Sequence, residues 1–131
     1  MARAVLNLPS MSRAVLIDSR FDVTSAIGRG GSAIVFEAFD RVAKKHVALK
    51  VLSDTIEDPE VAFARLAREA RAAPAITHPN VCSTYDFGRL DNGRAFVSME
   101  LLRGESLRAY LRRTPRLDPE EAIEIAVQVL A

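Results

Sequence analysis

Lys50 stands in the middle of "VALKVL", an apolar run where a charged amine is out of place. On a strand, Ala48 and Lys50 share one face, and Val47, Leu49 and Val51 share the other. A small residue leaves room for a flat ring, and a lysine beside it can reach an anion. Upstream, "IGRGGSAIV" carries the spacing Gly28-x-Gly30-x-x-Ala33, which is similar to two phosphate-binding fingerprints. The dinucleotide version needs a helix after the turn. Here Ile34, Val35 and Phe36 follow, and they favour a strand. The order is therefore strand, turn, strand: a hairpin tip whose backbone N–H groups can face phosphates. Alone, that spacing also fits any glycine-rich hairpin, and Lys50 alone also fits a half-exposed strand whose amine reaches for water.

Glu69 offers Lys50 a partner. With Glu69 at the origin of a helical wheel, Ala62, Ala73, Leu66, Ala70 and Phe63 fall within about 20° to 120° of it, and Arg65, Arg68 and Arg71 take the far side. The carboxylate thus lies at the edge of the apolar face, where it can meet a lysine. The alternative is a surface pair with Arg65, in the weaker order for an i, i+4 pair.

The elements that must position these groups follow from periodicity. "RFDVTSAIG" alternates as a strand; "AIVFEAF" and "HVALKVL" are two more, joined by the polar turn "DRVAKK". "EDPEVAFARLAREARAA" switches to a helical period, with Asp58 as cap and Pro59 in the first turn. "THPN" ends it. "VCSTYDFG" and "RAFVSMELL" form a hairpin around Asp91-Asn92-Gly93. "SLRAYLRR" is a short helix. In "LDPEEAIEIAVQVLA", Asp118 and Glu121 have capping-box spacing. Its Ile123, Ile125, Ala126, Val127, Val129 and Leu130 cover roughly 200° of the circumference, more than the ~100° stripe of a surface helix. Such a helix expects burial on most sides, and the chain reads as cut short before supplying it.

Composition narrows the class. The 131 residues carry a net charge of +1, 49% hydrophobic and 27% charged residues, which fits one globular domain or a piece of one. No basic excess marks a nucleic-acid partner. The three lysines stand out against fifteen arginines. Cys82 is the single cysteine and fits a reducing, cytoplasmic compartment. No apolar run approaches the ~20 residues of a membrane span. Residues 1–19, interrupted by Asn7 and Pro9, read as a flexible lead-in, with Met11 a possible start.

Taken together, "IGRGGSAIV", "VALKVL", "REARAAPAITHPNV" and "FVSMELLRGESLRAYL" resemble, in order and spacing, a protein kinase: the small lobe of a bacterial Ser/Thr kinase of the eukaryotic-like type. The resemblance implies an α+β fold with a five-stranded antiparallel sheet and one αC-type helix over residues 20–104, then the first helices of an incomplete large lobe over 105–131. It implies ATP as cofactor and a protein Ser or Thr hydroxyl as acceptor. Gly28, Gly30, Gly31 and Ser32 would form the lid over the phosphates, and Ile27, Val35 and Ala48 would sandwich the adenine. Lys50 would pair the α- and β-phosphates, held by Glu69. Met99 would be the gatekeeper, and the backbone of Glu100 and Leu102 would bond the ring edge.

Two departures qualify the resemblance. The third loop glycine is Ala33, harmless only where φ stays negative. Nothing matches the family's His-Arg-Asp catalytic loop, its Asn, or its Ala-Pro-Glu element. Mg2+ is expected only with residues beyond these. Asp86-Phe87-Gly88 copies the family's metal-binding triplet but precedes the gatekeeper, so it is read as a strand-end turn. His46, His78 and Cys82 are read as structural. A non-catalytic, nucleotide-responsive relative of the family is the nearest alternative. An unrelated five-strand domain, with Lys50 and Glu69 as a structural ion pair, is a more remote one.

Overall fold

The computed structural model describes residues 3–6, 14–72 and 76–131. Seven strands and three helices follow in the order β1 (Arg3–Leu6), β2 (Ala14–Ile17), β3 (Phe21–Arg29), β4 (Ala33–Asp40), β5 (Lys45–Leu52), α1 (Pro59–Ala72), β6 (Thr84–Arg89), β7 (Ala95–Met99), α2 (Leu107–Arg113) and α3 (Pro119–Leu130). β3 to β7 make one antiparallel sheet in the order β3-β4-β5-β7-β6, the five strands expected from the alternation. β1 and β2 pair as a separate antiparallel hairpin, where the sequence suggested only a lead-in. Asn7, Pro9 and Met11 lie outside the described residues, as does Ala73.

Register divides the sheet into two faces. Residues directly opposite across antiparallel strands point the same way. Val35 faces Lys50, Glu37 faces Ala48, Ala48 faces Met99 and Lys50 faces Val97, so these side chains share one face. The other face holds Phe21, Phe36, Ala38, Val47, Leu49, Val51, Leu90 and Phe96, all buried, with Phe21 and Phe96 edge to face at 5.1 Å. α1 lies on the first face. Its Leu66 and Ala70 pack with Ala95 and Val97, flanked by Phe63, Phe87 and Met99.

Turn chemistry sets the strand order. The β6–β7 turn closes through Gly93 N–H to Leu90 O (2.8 Å) and Leu90 N–H to Arg94 O (2.9 Å), with Gly93 at φ +84°, the left-handed position that a three-residue hairpin loop requires. Asp58 caps α1 as expected: its carboxylate accepts from Val61 N–H at 3.2 Å. The capping box of α3 does not form. Asp118 is the cap residue but makes no side-chain cap bond, and the Glu121 carboxylate accepts from the Tyr110 hydroxyl at 2.7 Å.

A polar node joins the ends of the core. Arg20 binds Asp40 through two N–H groups (3.0 and 2.8 Å) and Asp86 through a third (2.6 Å), while lying over the Phe21 and Phe96 rings. Asp40 is fully enclosed. Burial alone would push its carboxyl up; the Arg20 guanidinium and the N–H groups of Ala43 and Val42 outweigh that and hold it below the usual range. Next to it, the buried Asp18 carboxylate accepts from the backbone N–H groups of Arg20, Phe21 and Asp91, and Ser19 bonds Asp91 in return. The stretch before β3 is thereby fastened to the β6–β7 turn.

Candidate functional site

The glycine ribbon is the β3–β4 turn, Gly30-Gly31-Ser32, closed by Gly30 N–H to Ala33 O at 2.9 Å. Gly31 has open space around the position a Cβ would take, so the tip leaves its backbone bare. Ala33 is buried and does not have positive φ; among the described non-glycine residues only Lys44 does (φ 58°). The alanine in the third glycine position is therefore unstrained. The Ser32 carbonyl accepts from Ser53 N–H at 2.8 Å and ties the tip to the end of β5. Ile27 falls at a register shift between Ala26 and Gly28, and a bulge there turns its side chain out, 49% exposed.

Lys50 projects from β5 towards α1. It lines two neighbouring hollows with Glu69. One, of about 190 Å³, is walled by Leu66, Ala70, Thr84, Val97 and Met99. The other, of about 350 Å³, reaches from Ser32 at the ribbon tip past Ile56 and Arg65. The amine and the carboxylate face the same space, yet no oxygen of Glu69 lies within 4.0 Å of the Lys50 nitrogen. Glu69 itself is exposed, although its neighbours Leu66 and Ala70 are packed on the sheet. Nor does Glu69 pair with Arg65. On a wheel Arg65 falls about 40° from Glu69, on the side away from Leu66 and Ala70, and in the fold it is exposed and borders the same hollow as Lys50. Ser32, Lys50, Glu69 and Met99 are thus drawn to one region. Gly28, Val35 and Ala48 lie in the strands above it.

Glu100 and Leu102 sit differently. The Glu100 N–H is already taken by Ser83 O at 2.8 Å, and its side chain accepts from Ser83 N–H at 3.2 Å. Both residues border a separate hollow of about 360 Å³ with Pro79, Asn80, Cys82, Ile125 and Gln128, on the α3 side of the connecting segment. The Glu100 carbonyl faces only the Cys82 thiol, at 3.6 Å. Burial, then the nearby Glu100 charge, pushes that thiol up from its ordinary value.

The Asp86-Phe87-Gly88 triplet lies within β6, paired with Ser98, Val97 and Phe96, and not in a strand-end turn as the sequence suggested. Asp86 binds Arg20, Phe87 packs against Phe63 of α1, and a Cβ on Gly88 would come within 3.2 Å of the Phe96 ring. Thr84, Leu66 and Val97 also line the Lys50 hollow and were missed from the sequence. Register could have found Val97, since it lies directly opposite Lys50.

This arrangement, a bare ribbon tip over a strand lysine that faces a helix carboxylate, agrees with the family match. The family model described as protein kinase domain matches residues 21–131, and the chain belongs to that family. It is 42% identical over 103 residues to serine/threonine-protein kinase PknE of Mycobacterium tuberculosis, covering 79% of this chain and 18% of that protein. It is 38% identical over 112 residues to serine/threonine-protein kinase pkn3 of Myxococcus xanthus, covering 86% and 20%. The chain spans about a fifth of the length of these relatives. The M. tuberculosis PknI kinase domain superposes with a TM-score of 0.71 at 24% identity, over 86% of this chain and 45% of that one. The apo form of PpkA-294 gives 0.65 at 23%, over 83% and 43%. Both show the shared fold: the small lobe of a bacterial eukaryotic-like Ser/Thr kinase and the start of its large lobe. No described helix is long and apolar enough to cross a membrane.

Proposed function

We propose that residues 20–104 form the ATP-binding lobe of a protein serine/threonine kinase and that residues 105–131 begin its large lobe. The reading is carried by Lys50 and Glu69, which together line two neighbouring hollows, one bordered by Ser32 of the ribbon tip and the other by Met99. The residues fit a nucleoside triphosphate. Lys50 is a cation with no carboxylate within 4.0 Å, the space at Gly31 is open, and Ala48 adds no bulk to the slot face. A purely structural ion pair is disfavoured by the same gap, since the two charges do not touch.

In this reading Lys50 holds the α- and β-phosphates, and Glu69 orients the amine once α1 moves towards β5. The N–H groups of the ribbon face the phosphates. Val35, Ala48 and Ile27 enclose the purine, and the backbone of Glu100 and Leu102 borders its edge; the Glu100 N–H is engaged by Ser83 and its carbonyl by the weak Cys82 thiol donor, which a ring amine can displace. ATP supplies the transferable phosphoryl group. Mg2+ belongs with ligands outside these residues, because Asp86 is held by Arg20. The sequence holds no His-Arg-Asp loop, so the 131 residues alone bind nucleotide weakly and transfer no phosphoryl group. The apolar side of α3, with Ile123, Val127, Val129 and Leu130 exposed, makes the isolated chain adhesive.

The test is nucleotide titration of the chain followed by amide NMR. Lys50→Met should weaken ATP about tenfold or more, the scale of a lost charge-assisted hydrogen bond, and leave adenosine unchanged. Equal ATP affinity in the variant and the wild type would overturn the reading.

A further inference from the structure

We infer that Glu37 and Arg103 form a clasp that sets the height of the purine slot. The inference rests on the nucleotide-binding reading above and assigns two further positioning residues to that site.

Glu37 lies two residues beyond Val35 on β4, on the same face, and directly opposite Ala48. Ala48 in turn lies opposite Met99, so Val35, Glu37, Ala48 and Met99 outline one patch of the sheet. The chain leaves β7 at Met99 and runs through Glu100, Leu101 and Leu102 to Arg103. There the guanidinium reaches back over the patch: its two terminal nitrogens donate to the two Glu37 carboxylate oxygens, at 3.1 and 3.4 Å. The contact spans 66 residues of sequence and connects no two elements already joined by hydrogen bonds. It bridges the strand that carries the roof of the slot to the segment that borders its edge.

The geometry is suited to that task. The Glu37 side chain is 18% exposed, so one partner is already held by the sheet, while Arg103 is 73% exposed and supplies the movable half. A forked, two-bond contact fixes direction as well as distance. Because Val35 and Glu37 belong to one strand, holding Glu37 holds the roof over the purine position. The slot is then set before the ligand arrives, and less ordering remains to be done on binding. Exposed ion pairs are weak, which bounds the effect at about fivefold in affinity.

The clasp acts on the purine end and Lys50 on the phosphate end, so they separate by ligand. The experiment is NMR titration of the full chain with adenosine and with ATP. Arg103→Ala and Glu37→Gln should each raise both dissociation constants about threefold to fivefold, by the same factor for the two ligands, with the amide spectrum otherwise retained. The exchanged pair, Glu37→Arg with Arg103→Glu, should recover most of the loss, which neither a general folding defect nor a simple change of net charge would do. Unchanged affinity in both single variants, alongside measurable wild-type binding, overturns the clasp and leaves the nucleotide reading standing. Failure of the wild-type chain to bind either ligand overturns both.

Discussion

The two faces of the five-stranded sheet are built to opposite rules. One is closed: Phe21, Phe36, Val47, Leu49 and Val51 are almost wholly buried, and Arg20 stitches its rim through Asp40 and Asp86. The other is left open along the stretch that carries Lys50. There α1 packs through Leu66 and Ala70, with Phe63 at the flank, and two hollows remain that Lys50 and Glu69 both line. The same strand, β5, serves both faces: Val47, Leu49 and Val51 secure it, and Ala48 and Lys50 are presented by it. A ligand site needs space and charge that a core would exclude, and it can have them here because the opposite face supplies the stability.

The contrast can be broken first where it is strongest. Phe36→Ala on the closed face should cost about 3–5 kcal/mol, read as a fall in the urea midpoint. A loss no larger than that of Lys50→Met, which empties no packed space, would show that the faces do not differ. Next comes the rim. Arg20→Met leaves Asp40 enclosed without its cation and should cost about 3 kcal/mol at neutral pH. The pH dependence follows from Asp40, whose carboxyl is held low in the folded chain. Its contribution is complete above the ordinary carboxylate value of about 4 and is lost as pH falls through the lower folded value. Wild-type stability should therefore fall in acid, and Asp40→Asn should be less stable at neutral pH and flatter below pH about 4. A wild-type acid slope that survives in Asp40→Asn would remove the rim from the comparison. The smallest effect concerns the open face. Asp58→Ala removes the α1 cap and should cost about 1 kcal/mol, with hydrogen exchange rising in α1 and not in β5. Equal rises in both would mean that helix and closed core open as one unit.

The five strands of the main sheet were legible from alternation in β3 and from β-forming runs in the others, while β1 and β2 were not read as strands; the β6–β7 turn was legible because Gly93 must take positive φ. α1 was legible from Asp58 and Pro59, which act within one turn of each other. The placement of Lys50 and Glu69 on a shared space was legible from strand alternation and the helical wheel. The gap between them was not, since a wheel fixes which way a residue points from its helix axis and says nothing of how far the axis stands from a sheet. The α3 capping box was read from spacing, yet Asp118 makes no side-chain cap bond and Glu121 accepts instead from Tyr110, eleven residues away. The Arg20 node joins residues 20 and 66 positions apart, beyond any local pattern.

The fastening of residues 18–20 has a mechanical corollary. Asp18 and Ser19 are moored to the backbone and side chain of Asp91, at the tip of the hairpin whose strands support α1, and not to the ribbon. Tension applied to the polypeptide ahead of β3 is therefore delivered to the helix-bearing end of the sheet, and the lid over the slot is spared it.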